Sequence, residues 1–193
     1  ALNSDQFGAL TSDQVAALTT GQVAALTTSQ LSSLPTADLN ALNTAQFAVL
    51  SSTQVANLTS DQIGALETAD LRALSTSALR SLNSEQLAAL NSDQVAALST
   101  GQVAALTTAQ VAGLNSDDLN ALSTNQFAAL TTAQVANLTS AQVSTLETAD
   151  LKAMSTGQFA ALNSTQIGAL TTDQIPNIET TDLRAISTLS LRS

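Results

Sequence analysis

The chain contains 193 residues, 15 of them acidic and five basic, and its formal net charge is −10. It has no Cys and no His, which excludes disulfides and the thiolate and imidazole ligands that zinc prefers. The acidic balance disfavours binding to nucleic acid, and no apolar run is long enough to form a membrane span.

The sequence divides into 24 consecutive octads without insertion or deletion, counted from Ala1 as position one. Positions two and seven are apolar in every octad. The step from position seven to the next position two is three residues, which is one helical turn, whereas the following step of five must cross a corner. A continuous helix would rotate each apolar pair about 80° away from the preceding pair. A strand would place the two ranks of apolar residues, those at position two and those at position seven, on opposite faces. The pattern predicts an all-α solenoid of very short helices, one per octad.

Polar residues set the start of each helix. Position four is Ser or Thr in all 24 octads, so we expect the N-cap there. A register one residue earlier remains open, because Thr19 and Gln22 have the spacing of a capping box. The acids occupy positions three, five and six and the bases position eight, as the helix dipole favours. Gln stands at position six in 17 octads, and its side chain either pairs with the next coil or faces solvent.

Residues 1–193 are predicted to form a single repeat array. Residues 1–80 and 81–160 match at about 50 of 80 positions, which indicates a duplication, and 161–193 is a partial third copy. Pro35 fits a corner, whereas Pro176 is expected to distort its helix because it lacks a backbone donor. The final octad is irregular, with Leu189 and Ser190 in place of its usual polar pair.

The number of octads per coil is inferred from five aspartates that replace Gln at position six. Their separations are all multiples of 16 residues, which favours two octads per coil, with four as the alternative; the residues are Asp38, Asp70, Asp118, Asp150 and Asp182.

No residue pattern indicates catalysis, since Ser and Thr have no His to act as general base. We therefore expect a protein that is not an enzyme, with no catalytic, cofactor-binding or metal-binding residues and no cofactor. The adjacent pair Asp117 and Asp118 is interpreted as helix-end charges. Three octads that combine acids with a base are interpreted as surface ion pairs: Glu67, Asp70 and Arg72; Glu147, Asp150 and Lys152; Glu179, Asp182 and Arg184.

The units from Leu18 to Ala25 and from Leu130 to Ala136 resemble the short tandem repeats of very large secreted or surface proteins of proteobacteria, described as adhesin-like or haem-utilisation-like. That resemblance implies a secreted or cell-surface location and a role as stalk or scaffold. The periodic pattern also predicts that the chain is an excerpt from a longer array.

The expected function is therefore a structural repeat segment, with possible partners among proteins or glycans and with end-to-end self-association open. A binding module that uses variable surface positions is the first alternative. An ice-binding array of hydroxyls is another. An acidic rod that mimics DNA is a third, because Ala69 to Ala73 resembles one unit of the pentapeptide repeats.

Overall fold

The computed structural model describes residues 2–188 and 190–192, which form 22 short α-helices and one 3₁₀-helix. The chain divides into two compact units, Ala1–Leu98 and Ser99–Ser193, and each is a stack of short helices. The first unit contains α1 Ser4–Gly8, α2 Ser12–Ala16, α3 Thr20–Ala24, α4 Thr28–Ser33, α5 Thr36–Leu39, α6 Thr44–Phe47, α7 Ser52–Ala56, α8 Ser60–Gly64, α9 Thr68–Ala73, α10 Thr76–Arg80, α11 Ser84–Ala88 and α12 Ser92–Ala97. The second contains α13 Thr100–Ala105, α14 Thr108–Gly113, α15 Ser116–Asn120, α16 Thr124–Ala128, α17 Thr132–Ala136, α18 Ser140–Thr145, α19 Thr148–Ala153, α20 Thr156–Ala161, α21 Ser164–Gly168, the 3₁₀-helix Ile175–Asn177 and α22 Thr180–Ala185.

One helix per octad is confirmed from α1 to α21, and no strand occurs among the described residues. Helices this short are not stable in isolation, because nucleating a helical turn costs more than its few hydrogen bonds return. They persist because each one packs against other octads. The corner between them needs no left-handed residue, since no described residue has a positive φ angle. Instead, the C-terminal Leu and the next N-cap are both extended, as at Leu98 (ψ 143°) and Ser99 (ψ 157°).

Each coil takes between three and four octads. Within each unit a helix packs against the third octad before or after it, as α1 does with α4 and α16 with α19. Glutamine side chains reach back 28 to 31 residues, as from Gln62 to Leu34 and Leu31. The prediction of two octads per coil is therefore wrong, and the alternative of four is nearer. Each corner turns the chain by less than the half-turn that an antiparallel pair of helices would need.

The two apolar ranks form the core, as the octad pattern predicts. Position seven is buried from Phe7 to Phe159, and position two is buried from Leu34 to Leu162. The burial of both ranks in one core confirms that a single helical turn brings the two positions together. None of the described helices is long and apolar enough to cross a membrane.

The two prolines behave as predicted. Pro35 lies at the N-cap of α5 in an extended conformation (φ −54°, ψ 149°), which suits a corner. Pro176 lies within the 3₁₀-helix Ile175–Asn177, where its octad would otherwise form an α-helix. This distortion follows from the missing backbone N–H and the rigid ring. Leu189 of the irregular final octad lies outside the described residues.

Gly64 ends α8 at a close approach to the next coil. A Cβ atom at this residue would lie 2.7 Å from the backbone oxygen of Ala89. We expect Gly64→Ala to lower the free energy of unfolding by about 1–3 kcal/mol, because a backbone atom must move to relieve the overlap. Gly168 occupies the same octad position at the end of α21, and its Cβ would meet nothing within 4 Å. Gly168→Ala should leave stability unchanged or raise it by about 0.5–1 kcal/mol. The urea denaturation midpoints of the two variants test this difference. Equal shifts of the two midpoints would contradict it.

Candidate functional site

The helix N-cap lies at position three, so the predicted N-cap at position four is wrong. The side chain of Thr59 accepts a hydrogen bond from the backbone N–H of Gln62, and Ser60 is the first helical residue. The same capping box, in which the Gln side chain also accepts from the N-cap backbone N–H, starts most of the described helices. The box requires a partner three residues later, and only position three has Gln at that distance.

Substitutions at neighbouring residues measure where the cap lies. Thr59→Ala should lower the free energy of unfolding by about 1 kcal/mol, because the backbone N–H of Gln62 loses its acceptor. Ser60→Ala should change it little, since Ala is a better helix former than Ser at the first helical position. Thermal melts of both variants provide the measurement. A larger loss of stability for Ser60→Ala than for Thr59→Ala would show that the N-cap is at position four.

Most position-six glutamines from Gln30 onward link their own helix to the preceding coil. In Gln62 the side-chain Oε1 accepts from the backbone N–H of Thr59 at 2.9 Å. Its Nε2 donates to the carbonyl oxygens of Leu31 at 2.9 Å and Leu34 at 2.8 Å. Leu31 lies in the last turn of α4, where its carbonyl oxygen also accepts from the backbone N–H of Leu34, and Leu34 is the C-cap at the corner that follows. One amide therefore satisfies a helix start in one coil and a helix end in another.

We call this series of inter-coil hydrogen bonds the glutamine ladder. It recurs within both units, with the donors Gln30, Gln46, Gln54, Gln62, Gln86 and Gln94 in the first and Gln134, Gln142, Gln158, Gln166 and Gln174 in the second. The glutamines are buried from Gln46 onward, for example with Gln62 only 2% exposed. Of the two roles left open by the sequence, pairing between coils is the one that the structure shows. The ladder sets the register in which coils stack.

In four of the five octads where aspartate replaces the ladder glutamine, Pro or Glu also replaces the capping residue at position three. Glu67 and Glu147 precede Asp70 and Asp150 at the N-cap, and neither glutamate makes a side-chain capping bond. Asp70 is 4% exposed and Asp150 is 3% exposed. Burial raises the pKa of each carboxyl group to about 6, and the charge of the nearby glutamate adds to the effect. Surface ion pairing is therefore the wrong interpretation of these aspartates. Asp182, in the third such octad, is also buried.

The pair Asp117 and Asp118 lies in the first turn of α15, as predicted for helix-end charges. Asp117 is exposed, whereas Asp118 is 5% exposed and accepts a hydrogen bond from the Nδ2 of Asn115 at 2.5 Å. The two carboxyl groups therefore occupy different environments. Among the described residues, no group of three or more acidic side chains is gathered as a metal ion would require.

Two asparagines form a second inter-coil contact that the sequence analysis missed. Asn40 donates from Nδ2 to the carbonyl oxygen of Ala65 at 2.6 Å, and Asn120 does the same to Thr145 at 2.8 Å. The Oδ1 atom of each is buried without a partner among the described residues. The two asparagines are 80 residues apart, at the octad position that Ala holds most often, and this recurrence was the available signal in the sequence.

Position five is exposed in every described octad, and position three is exposed in nearly all of them. The position-five residues are mostly small or acidic, with Asn125 and Leu189 as exceptions, and none is aromatic or basic. No curated protein matches the sequence. The family model for the ALTTAQ repeat matches residues 1–20, 31–68, 63–100, 111–148 and 143–177. These matches tile most of the chain in tandem, and the chain therefore belongs to the ALTTAQ repeat family.

Proposed function

We propose that this chain is a non-enzymatic spacer or scaffold segment of a large secreted or surface protein, which holds an adhesive part at a distance. The observation that supports a structural role is the use of the position-six glutamines. Gln occupies position six in 17 of the 24 octads, and the fold uses these side chains in the glutamine ladder. What remains exposed at position five changes from octad to octad.

A protein-binding or glycan-binding module is the alternative, because position five could carry a ligand surface. The two functions differ in what they require of the sequence. A spacer depends on length and tolerates exchange of exposed residues, whereas a binding module depends on the identity of those residues and not on length.

Surface display separates the two functions. The chain is placed between a bacterial membrane anchor and an epitope, with one variant lacking residues 81–160 and another in which position-five residues are exchanged between octads. A spacer predicts that access of an antibody to the epitope falls in the deletion variant only. Adhesion to glycan-coated or protein-coated surfaces that is lost in the exchange variant would instead support the binding module.

Two further alternatives are affected by the structure. The cap at position three leaves the position-four hydroxyls of residues such as Ser60 free of capping, so these hydroxyls could form an ice-binding array. Thermal hysteresis of the chain in solution tests that function. The DNA-mimic function is weakened, because Asp70, Asp118 and Asp150 are buried and cannot present charge at the surface. Inhibition of a DNA gyrase is its test.

A further inference from the structure

The glutamine ladder is interrupted at two consecutive octads of the first unit, where position six is held by Asp70 and Ala78. We call this interruption the ladder break. Ala78 is the only position-six residue in the 24 octads whose side chain has no hydrogen-bonding atom. Asp70 can donate only when its carboxyl group is protonated. Gln62 before the break and Gln86 after it make the usual bonds to the preceding coil, so the break is confined to two octads.

The ladder spacing identifies the carbonyl groups that lack a donor at the break. A ladder glutamine donates to the position-two carbonyl oxygen 28 residues before it. From Asp70 and Ala78, the same step leads to Leu42 and Leu50. Within the described residues, neither of these two carbonyl oxygens accepts a hydrogen bond. Leu42 is 2% exposed and Leu50 is 3% exposed, so water has little access to either group. A buried acceptor without a donor is unfavourable in the folded state.

The second unit has the same arrangement with one bond restored. Residues 119–130 match residues 39–50 at nine of 12 positions. The octad that corresponds to that of Ala78 has Gln158 instead, and its Nε2 donates to the carbonyl oxygen of Leu130 at 2.8 Å. At this place in the second unit, the ladder is interrupted only at the preceding octad, which has Asp at position six. The two matched segments therefore differ in whether this ladder bond is present.

Two other inter-coil hydrogen bonds lie at the edges of the ladder break. Asn40 donates to the carbonyl oxygen of Ala65 at 2.6 Å on one side, and Ser81 donates to that of Ser52 at 2.9 Å on the other. Between these edges α6 packs against α9, and Phe47 of α6 is buried. Apolar packing therefore joins the coils at the break, whereas at the neighbouring octads the packing and the ladder act together.

We propose that the first unit opens locally at the ladder break, where the layer of α5 and α6 separates from the layer of α9 and α10 while the neighbouring coils stay stacked. Opening is easiest there because no ladder bond is lost, and because water then reaches the carbonyl oxygens of Leu42 and Leu50. A coil in a solenoid contacts only its neighbours, so one contact can open without the others. The break thus gives the array a defined site of opening. The proposal concerns stability within one unit and is independent of the spacer function.

Hydrogen–deuterium exchange of the 193-residue chain, measured by mass spectrometry, compares the two matched segments. The backbone N–H of Leu50 closes the turn after α6, and that of Leu130 closes the turn after α16. We expect residues 39–50 to exchange about fivefold faster than residues 119–130, because one hydrogen bond changes an opening equilibrium by that factor. The similar sequences of the two segments keep their intrinsic exchange rates similar. Equal protection of the two segments would overturn the proposal.

Substitutions at residue 78 test whether the missing donor is the cause. Ala78→Gln supplies an amide that can donate to Leu50 and form a capping box with the N-cap Ser75. It should slow the exchange of residues 39–50 to the rate of residues 119–130. Ala78→Glu is the matched control, because it has the same shape and the same capping acceptor but no donor when ionised. Exchange that slows equally in both variants, or that stays fast in an Ala78→Gln chain with the parent's helical spectrum, would contradict the proposal.

Gln158→Ala creates the converse case without placing a larger side chain in a buried position. It removes the bond to Leu130 and reproduces the ladder break in the second unit. We expect the exchange of residues 119–130 to become about fivefold faster, as in residues 39–50, while the helical circular dichroism spectrum stays that of the parent chain. If residues 119–130 remain protected in this variant, the proposal fails whatever the outcome at residue 78.

Discussion

Replacing Gln62 with Glu is expected to lower the free energy of unfolding by about 3 kcal/mol at neutral pH, because one buried donor is exchanged for a charged acceptor. The side chain is 2% exposed, and its Nε2 lies 2.9 Å and 2.8 Å from two carbonyl oxygens. Glutamate has the same shape and can still accept from the N–H of Thr59. The substitution therefore leaves the capping box intact and removes only the bond between coils.

Gln22 provides the matched control for this prediction. It accepts the capping bond from the N–H of Thr19 at 2.8 Å, but it is exposed and donates to no preceding coil among the described residues. Gln22→Glu should change stability by less than about 1 kcal/mol, and a negative charge in the first turn is favourable there. Urea denaturation followed by circular dichroism compares the two variants. Equal losses would show that the glutamines serve as caps alone.

The stabilities of the same two variants are also compared at acid pH. In the Gln62→Glu variant, protonation of the introduced carboxyl group restores a donor that can reach a carbonyl oxygen. The loss of stability should therefore shrink when the pH is lowered toward about 4, near the ordinary pKa of a glutamate side chain. No such recovery is expected for Gln22→Glu. If the loss caused by Gln62→Glu is the same at both pH values, steric or packing effects are responsible for it and not the missing donor.

The octad spacing was sufficient to predict the helices and the core. The three-residue step from Val15 to Leu18 allows one helical turn, and the structure forms that turn at the end of α2, where the backbone N–H of Leu18 donates to the carbonyl oxygen of Val15 at 3.2 Å. This inference was possible because it depends on geometry within a few residues. The distortion at Pro176 was predicted for the same reason, since the missing N–H is a local property.

The constant Ser or Thr at position four is not the N-cap, because constancy at one position does not identify a capping residue. Position four is Ser or Thr in every octad, yet a capping box is identified by a coupled pair of residues. That coupling was visible in the sequence: Pro35, Glu67, Glu147 and Glu179 replace the capping residue in octads where Asp replaces Gln. The joint change at positions three and six therefore identifies position three as the N-cap.

The coil size could not be obtained from the spacing of the aspartates. Asp70 and Asp150 are 80 residues apart, which is the offset at which residues 1–80 and 81–160 match, so their spacing reflects that longer similarity and not the size of a coil. The ladder bonds span 28 to 31 residues, and 17 of the 24 octads have the same Gln donor at position six. Because the Gln donors are alike, the sequence does not indicate which carbonyl oxygen each one binds. The number of octads per coil is set by the angle through which each corner turns the chain.

The buried aspartates should make the protein more stable in mild acid than at neutral pH. The pKa values of Asp70 and Asp150 are about 6 in the folded chain, above the ordinary value of 3.8. Between these values the folded state holds protons that the unfolded state has released, so stability falls as the pH rises from about 4 through 6. By pH 7.5 each ionised carboxylate lowers the free energy of unfolding by about 1–3 kcal/mol.

The double variant Asp70→Asn and Asp150→Asn removes the ionisation while preserving side-chain shape. We expect it to raise the urea midpoint at pH 7.5 and to have little effect at pH 4.5, where both native carboxyls are largely protonated. The control, Asp61→Asn with Asp117→Asn, removes the same charge from exposed position-five residues, one in each unit. General relief of negative charge would stabilise both double variants alike at pH 7.5. A gain confined to the buried pair would instead show that the octads with Asp at position six destabilise the folded array at neutral pH, because their carboxylates lie where the ladder has an amide.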